Sequence, residues 1–235
     1  MKNAIITGAG RGIGKSIALA FAKEKFNLVL AARSISELNE VAAQCEKLGA
    51  KSLVCPTDIT SERDVINLFN SAKEKFSNVD LLINNAGFGV FKQITETSLD
   101  EWNKVIDVNL TGAFLCSREG MKIMKPQNHG IIINISSVVG IKGYPNQGAY
   151  TASKHGMVGL TKVIAEEGRE FGIRAHVICP GAVATEMVKQ SRPDIAAEEL
   201  IQPEDVAELT LYLAKLPKRV SIDLVHLRRF TSQSF

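Results

Sequence analysis

The sequence predicts an α/β protein with a doubly wound parallel sheet of seven strands, and two patterns support this fold class. Short β-rich runs alternate with amphipathic segments along the chain, which is typical of a parallel sheet covered by helices on both faces. One run, Ile131-Ile132-Ile133, is continuously apolar, as expected of a strand buried on both sides. No break in composition divides the 235 residues, so we expect a single domain spanning 1–235.

The predicted elements follow one another at short intervals, as in a Rossmann fold. The helix predicted over 203–215 has a clear start, with Pro203 at the first helical position and the acids Glu204 and Asp205 behind it. The predicted strands are 3–7, 27–32, 51–56, 79–84, 130–136, 173–179 and 220–226. The predicted helices are 12–25, 34–48, 61–76, 98–125, 147–170 and 203–215.

Composition excludes several classes of protein. A net charge of +3 is too small to favour nucleic acid as a partner, and no apolar run is long enough to span a membrane. The four cysteines show no metal-ligand spacing, so we expect buried thiols in a reducing compartment and no metal site. A glycine-rich motif begins at residue 7 and leaves no room for a signal peptide. These observations predict a cytoplasmic protein.

The glycine-rich motif lies between the first predicted strand and the first predicted helix. Gly8, Gly12 and Gly14 would let the backbone turn tightly and approach a pyrophosphate, whose charge the helix N-terminus stabilises. Glycine-rich turns often serve only to reverse the chain, but this position between strand and helix favours a dinucleotide. The spacing Gly-x-x-x-Gly-x-Gly also differs from the common GxGxxG fingerprint.

The second predicted strand indicates which dinucleotide is bound. Proteins that prefer NAD normally place an acid at its end, but here Arg33 follows Ala31-Ala32. Arg11, in the glycine loop, can converge on the same point, and two guanidinium groups suit a 2′-phosphate. The alternative is that both are ordinary surface arginines. The sequence therefore predicts NADP(H).

A phenol and an ammonium four residues apart form a candidate acid–base pair. On a helix, Tyr150 and Lys154 lie one turn apart on the same face. A lysine cation favours the phenolate and is expected to lower the tyrosine pKa towards neutrality, which makes a usable acid or base. Taken alone, a tyrosine and a lysine at this spacing can also be two residues on a solvated helix face with no catalytic role.

Taken together, these motifs and several others resemble the short-chain dehydrogenase/reductase family over nearly the whole chain. The gap of 13 residues from Ser137 to Tyr150 also fits that family. The matching blocks are Thr7–Gly14, Asp58, Asn84-Asn85-Ala86-Gly87, Asn109, Ile135-Ser136-Ser137, Tyr150-x-x-x-Lys154, Pro180-Gly181 and Thr185.

The resemblance implies catalytic roles for four residues. Tyr150 would donate a proton to a carbonyl oxygen as hydride reaches the carbon, and Ser137 would hydrogen-bond the same oxygen. Lys154 would bind the nicotinamide ribose and depress the tyrosine pKa. Asn109 would distort its helix and hold a water that links Lys154 to a proton relay. Ser136 is expected to support backbone geometry instead.

The resemblance also implies a cofactor site. Asp58 would contact adenine or cap a helix, and Asn85 to Gly87 would line the adenosine and nicotinamide region. Thr185 and the backbone near Val183 would meet the pyrophosphate and carboxamide. The residues expected to bind NADP(H) are Gly8, Gly10, Arg11, Gly12, Ile13, Gly14, Arg33, Asp58, Ile59, Asn85, Ala86, Gly87, Tyr150, Lys154, Pro180, Gly181, Val183 and Thr185.

The expected reaction is NADPH-dependent reduction of a carbonyl to a secondary alcohol, or the reverse oxidation, on a small-molecule substrate. One alternative is a 3-ketoacyl-(acyl carrier protein or CoA) reductase. Asn128 and Phe171 stand where those reductases usually carry basic residues, although Arg118, Lys122 and Lys125 lie nearby. A second alternative is a non-catalytic NADP(H)-sensing or scaffold protein, but such relatives commonly lose part of the catalytic set, which is intact here.

Three further expectations concern the rest of the chain. A substrate lid should lie at about 185–203, where Met187, Val188, Arg192, Pro193 and Ile195 give an apolar wall with some basic character. The tail at about 220–235 lacks the family's Asp-Gly-Gly, and its Arg228 and Arg229 would either reach a neighbouring subunit or form a plain basic tail. The resemblance implies a homotetramer or homodimer formed by the helices near 109–125 and 147–170.

Overall fold

A computed structural model describes residues 2–192 and 194–233, and it contains one parallel sheet of seven strands. The strand order is β3-β2-β1-β4-β5-β6-β7, so the chain reverses its direction of winding between β1 and β4. This arrangement confirms the predicted fold class. The strands are β1 (Asn3–Thr7), β2 (Asn27–Ala32), β3 (Ser52–Pro56), β4 (Leu81–Asn84), β5 (Gly130–Ile135), β6 (Ile173–Pro180) and β7 (Leu224–Leu227).

Helices cover both faces of the sheet. Ile5 and Ile6 are neighbours on β1, but they belong to separate apolar cores on opposite faces. No helix in the described part of the chain is long and apolar enough to cross a membrane. The helices are α1 (Gly12–Lys23), α2 (Ile35–Lys47), α3 (Glu62–Phe76), α4 (Leu99–Ile106), α5 (Gly112–Gln127), α6 (Gly148–Gly168), α7 (Glu186–Ser191) and α8 (Pro203–Lys215).

The helix predicted over 98–125 is interrupted by a π-helical segment, Asp107–Thr111, between α4 and α5. Asn109 lies in this segment and is fully buried. π-Helical turns are rare and are found mostly at functional sites. The interruption agrees with the distortion that the resemblance implied at Asn109.

The last strand is shorter than predicted. It was expected over 220–226 and is observed over Leu224–Leu227. Side chains from β6 hold the preceding residues out of the sheet, because Arg174 donates hydrogen bonds to three carbonyl oxygens after α8, including that of Val220 at 2.8 Å. His176 likewise donates from Nδ1 to a carbonyl oxygen two residues further on, at 2.8 Å.

Candidate active site

The candidate site lies at the carboxyl ends of β1, β4 and β5. The reversal of winding between β1 and β4 opens a crevice there, which is where ligands bind in open α/β sheets. The glycine loop follows β1, and Asn85 to Gly87 follow β4. The fold therefore brings the predicted cofactor and catalytic segments to the same edge of the sheet.

Close packing of the backbone explains the glycines in the first loop. Gly8 has a φ of +64°, and a Cβ atom there would lie 2.8 Å from the Cα of Ala86. A Cβ atom at Gly14 would lie only 2.1 Å from the carbonyl oxygen of Gly8. Gly12 also has a positive φ, +53°. Only glycine fits this loop without displacing backbone.

Thr7 joins the glycine loop to the loop after β4. Its Oγ1 accepts hydrogen bonds from the backbone N–H groups of Asn85 and Ala86, at 3.0 and 3.1 Å. The Asn85 side chain donates in return to the carbonyl oxygens of Thr7 and Gly8, at 3.0 and 3.2 Å. Sequence reasoning assigned Thr7 no role. The sequence feature that could have indicated this role is a hydroxyl at the end of a buried strand, where backbone N–H donors need partners.

The start of α1 is available to an anion. Arg11 occupies the N-cap position, but no side chain caps the helix there, and the first turn contains no acid. Ile13 follows in this first turn. Behind the loop, a Cβ atom at Gly10 would lie 2.8 Å from Oε2 of Glu37, an acid to which sequence reasoning gave no role.

Arg33 and Asp58 lie near each other beyond β2 and β3. The Asp58 pKa is lowered chiefly by a hydrogen bond from the backbone N–H of Thr60, and the Arg33 charge contributes in the same direction. The N-cap of α3 is Ser61, so Asp58 caps a turn before the helix and not the helix itself. Ile59 is buried. Both Arg33 and Arg11 are exposed.

Asn109 connects three parts of the site. Its Oδ1 accepts the backbone N–H of Phe88 at 2.8 Å, and its Nδ2 donates to the carbonyl oxygen of the same residue at 2.8 Å. Nδ2 also donates to Oγ of Ser153, at 3.0 Å, which in turn donates to the carbonyl oxygen of Tyr150, at 2.7 Å. The π-helical segment therefore fixes both the loop after β4 and the start of α6. Sequence reasoning missed Ser153 and Phe88.

Gly87 lies between Asn109 and Lys154. A Cβ atom at this glycine would be 3.5 Å from Oδ1 of Asn109 and 3.8 Å from Nζ of Lys154. The two predicted catalytic groups therefore approach one backbone position from different elements. A side chain at Gly87 would occupy the space between them.

Lys154 is buried and bonds to the end of β5. Its Nζ donates a hydrogen bond to the carbonyl oxygen of Ile135 at 2.9 Å and lies 5.7 Å from the centre of the Tyr150 ring. Burial lowers the pKa of Lys154 to about 8. The predicted stacking of the two side chains on one face of α6 is observed.

The expected lowering of the Tyr150 pKa towards neutrality is wrong. Burial raises the pKa of Tyr150 to about 12, and a hydrogen bond with Ser137 acts in the opposite direction. The effect of burial is larger because the phenolate would lose its hydration. The Lys154 ammonium donates to the carbonyl oxygen of Ile135, while burial and Ser137 set the direction of the Tyr150 pKa.

The two serines after β5 have different roles. Ser137 begins a short 3₁₀ turn, Val138–Gly140, and its Oγ accepts the backbone N–H of Val139 at 3.3 Å. Its hydrogen bond with Tyr150 places it beside the phenol. Ser136 is buried and donates to the carbonyl oxygen of Lys154 at 3.1 Å, which agrees with the predicted supporting role.

The loop after β6 reaches the glycine loop. Pro180 ends β6, and the backbone N–H of Gly181 donates to the end of β7 at 2.7 Å. Val183 is buried, and Oγ1 of Thr185 donates to its carbonyl oxygen at 3.3 Å. A Cβ atom at Gly12 would meet the Thr185 methyl group at 3.4 Å, so Thr185 lies against the glycine loop.

The predicted lid contains two short helical elements that sequence reasoning did not foresee. These are α7 and a 3₁₀ turn, Ala197–Glu199.

Pro193 lies outside the described residues. The Phe91 ring makes an edge contact with the Tyr150 ring, with centres 5.8 Å apart and planes at 64°. Sequence reasoning missed Phe91, which gives the site an aromatic wall.

A cavity of about 440 Å³ lies at the other end of the sheet, near Lys2, Asp80 and His129. These residues precede or begin β1, β4 and β5, so the cavity is separated from Tyr150 by the length of the strands. Among the described residues, no three histidine, cysteine or acidic side chains are placed to hold a metal ion.

Comparison with known proteins identifies the family. The model of the short chain dehydrogenase family matches residues 2–196. The chain belongs to this family. It is therefore an oxidoreductase that acts on alcohol and carbonyl groups, as the sequence predicted.

Two curated relatives and one solved structure show the range of the family around this chain. A 3-oxoacyl-[acyl-carrier-protein] reductase from Synechocystis is 36% identical over 91% of this chain and 89% of that protein. A 3beta-hydroxysteroid dehydrogenase from Mediterraneibacter gnavus is 38% identical over 87% of this chain and 75% of that protein. An alcohol dehydrogenase from the archaeon Thermococcus sibiricus, complexed with 5-hydroxy-NADP, has a TM-score of 0.92 and 31% identity and covers 100% of this chain and 99% of that one.

Proposed function

We propose that this protein reduces a carbonyl to a secondary alcohol with NADPH, or catalyses the reverse oxidation. The arrangement of Tyr150, Ser137, Lys154 and Asn109 beside the glycine loop carries this proposal. Four side chains from three segments (α6, the π-helical segment and the turn after β5) lie at the carboxyl end of the sheet, and each has the chemistry that its proposed role requires. A protein that only sensed NADP(H) would have no need of the complete set.

The glycine loop and α1 fit a dinucleotide. The loop leaves no room for side chains at Gly8 and Gly14, and the N-terminus of α1 has no side-chain cap that would compete with a pyrophosphate. Asn85 and Thr185 border the same loop. When bound there, NADPH supplies the hydride.

We propose that Tyr150 acts as the proton donor for reduction. A pKa of about 12 keeps its hydroxyl protonated at neutral pH, which is the form that donates to a carbonyl oxygen. Ser137, hydrogen-bonded to the phenol, would bind the same oxygen and stabilise its developing negative charge. Lys154, with a pKa lowered to about 8, stays largely protonated near pH 7 and would bind ribose hydroxyls.

The preference for NADPH over NADH rests on Arg33 and Arg11. Both are exposed beside the glycine loop and the end of β2, and within the described residues neither forms an ion pair within 4 Å of a carboxylate. Their charges are therefore available to a 2′-phosphate. The Thermococcus sibiricus enzyme, which binds 5-hydroxy-NADP, supports the same assignment.

The substrate is proposed to be a small carbonyl compound with an apolar body. Phe91 presents a ring beside Tyr150, and Ile94 is largely exposed on the same segment. A polar or highly charged substrate would find few partners on this wall. The two basic residues on the lid side, Lys189 and Arg192, are already paired with Glu186 and Asp194, at 2.8 and 2.7 Å.

A 3-ketoacyl-(acyl carrier protein or CoA) reductase is the second candidate, favoured by similarity to the Synechocystis enzyme. The basic residues that would attract an acidic carrier are largely neutralised. Arg118 bonds to Glu62 and Glu119 at 2.6 and 2.9 Å, and Lys122 bonds to Glu119 at 2.8 Å. The remaining cation, Lys125, lies over the Phe171 ring. This surface therefore favours a small free carbonyl over a carrier-bound one.

The test is NADPH oxidation against a panel of ketones, aldehydes, keto esters and an acetoacetyl thioester, with NADH in parallel. Deuterium-labelled NADPH should place deuterium on the former carbonyl carbon of the product. We expect turnover with an apolar ketone or aldehyde, and only weak turnover with the thioester. Turnover of the thioester alone would support the second candidate, and tight NADPH binding without turnover of any compound would contradict the proposed reaction.

The homotetramer or homodimer and the cytoplasmic location remain predictions. The helices proposed as the interface expose large apolar side chains, Phe114 on α5 at 44% and Val163 on α6 at 52%. Light scattering of the purified protein would measure the assembly directly.

A further inference from the structure

Two residues of the C-terminal tail bind one carboxylate of the lid. Arg229 Nη1 and Thr231 Oγ1 both bond to Oε2 of Glu199, at 2.8 and 2.7 Å. The Arg229 side chain is only 15% exposed, so solvent screens this ion pair less than a typical surface pair. Glu199 ends the 3₁₀ turn that lies in the second half of the lid.

The tail is itself held in shape after β7. Arg228 Nη1 donates hydrogen bonds to the carbonyl oxygens of Arg229, Phe230 and Ser232, at 3.2, 3.1 and 2.7 Å. The sequence left two alternatives for these arginines, a neighbouring subunit's site or a plain basic tail. The structure shows that both make defined contacts within their own chain. An ordered tail loses little further entropy when it binds Glu199.

The segment that contains Glu199 is hydrogen-bonded at its C-terminal end to the loop after β6. The backbone N–H of Ala184 donates to the carbonyl oxygen of Ile201 at 2.8 Å, and Ile201 donates to Ala182 at 3.0 Å. Between these ends, Asp194 pairs with Arg192, and the Arg229 charge also helps to lower the Asp194 pKa. Arg229 therefore acts on two acids of the lid.

The same segment reaches the cofactor and catalytic loops. At its start, Thr185 lies against Gly12 of the glycine loop. Arg192 lies close enough to Tyr144 for the two to interact electrostatically, and Tyr144 stands six residues before the catalytic Tyr150. A displacement of the segment would therefore change the wall that faces the substrate.

We propose that Arg229 is a positioning residue that holds the lid, residues 186–192 and 194–202, in its substrate-binding position through Glu199. It does not touch the reacting atoms, and its effect on catalysis rests on the proposed carbonyl reductase function. Without it, the substrate would have to order the lid on binding, which weakens substrate affinity. The cofactor site, built mainly from the glycine loop, would be unaffected.

The test compares Arg229→Gln with Arg63→Gln, a control arginine on α3 whose side chain is 87% exposed. We expect Arg229→Gln to raise KM for the carbonyl about tenfold with a much smaller change in kcat, and to leave NADPH affinity unchanged. Arg229→Lys, which keeps a cation beside Glu199 and Asp194, should recover most of the loss. Arg63→Gln should match the parent protein.

A second readout does not depend on turnover. Lys189 is an exposed trypsin site on α7, and release of the lid should speed cleavage after it in Arg229→Gln but not in Arg229→Lys. Parent-like KM and cleavage rate in Arg229→Gln would overturn the proposal. If no carbonyl is turned over by the parent protein, the proposed reaction fails, while unchanged cleavage would separately refute the positioning role.

Discussion

Nζ of Lys154 lies 2.9 Å from the carbonyl oxygen of Ile135, the last residue of β5, and is almost completely buried. This bond fixes the ammonium at the carboxyl edge of the sheet, one helical turn below Tyr150. Burial is also costly for a cation, which is why the pKa of Lys154 falls from its usual 10.5 to about 8. The position proposed for catalysis thus destabilises the fold near neutral pH.

The first prediction concerns stability and pH. The folded-state pKa of Lys154 lies below the unfolded value, so the unfolded chain binds more protons between about pH 8 and 10.5. The contribution of Lys154 to the free energy of unfolding should therefore become more favourable by roughly 3 kcal/mol as pH rises across this window. Urea denaturation of the parent protein and of Lys154→Met measures the contribution as a difference. A difference that stays constant with pH would show that Lys154 is not destabilised by burial.

The second prediction tests the glycine loop. Gly14→Ala would place a Cβ atom 2.1 Å from the backbone oxygen of Gly8, so we expect at least a tenfold loss of NADPH affinity and a destabilisation of about 1–3 kcal/mol. Fluorescence titration with NADPH and thermal unfolding measure the two effects. Gly159→Ala is the matched control, because a Cβ atom there meets nothing within 4 Å and alanine favours a helix. Equal NADPH affinity in both variants would contradict the proposed pyrophosphate site.

The third prediction concerns the choice of cofactor. Arg33→Asp should raise KM for NADPH about 10- to 100-fold, because a carboxylate would repel the 2′-phosphate and could instead bond the ribose hydroxyl of NADH. KM for NADH should stay the same or fall. Arg63→Asp, on the exposed face of α3, introduces the same charge change away from the site. An unchanged ratio of NADPH to NADH efficiency in Arg33→Asp would remove the basis for NADP preference.

Much of the fold was predictable because local signals agree with it. The apolar runs, the glycine loop and the proline at the start of α8 each specify an element without reference to distant residues. The last strand was misplaced because Arg174 and His176, on another strand, determine where it begins.

The supporting residues of the site were harder to predict from the sequence. Thr7, Ser153 and Phe91 act through contacts with segments far away in the sequence. From the sequence alone, each looks like an ordinary residue of a strand, a helix or an apolar core. The direction of the Tyr150 pKa was missed for a similar reason, because burial depends on the whole fold and not on the Tyr/Lys spacing. The motif residues themselves were recognisable from pattern alone.

The most direct test of the account is the reductase activity of Tyr150→Phe, with NADPH affinity measured on the same preparation. Removal of only the hydroxyl should lower kcat at least 100-fold, as expected for loss of a general acid, and leave NADPH affinity within about twofold. Tyr212→Phe, an exposed tyrosine on α8, is the control and should retain full activity. If Tyr150→Phe keeps the kcat of the parent protein, Tyr150 is not the proton donor and the proposed mechanism is wrong.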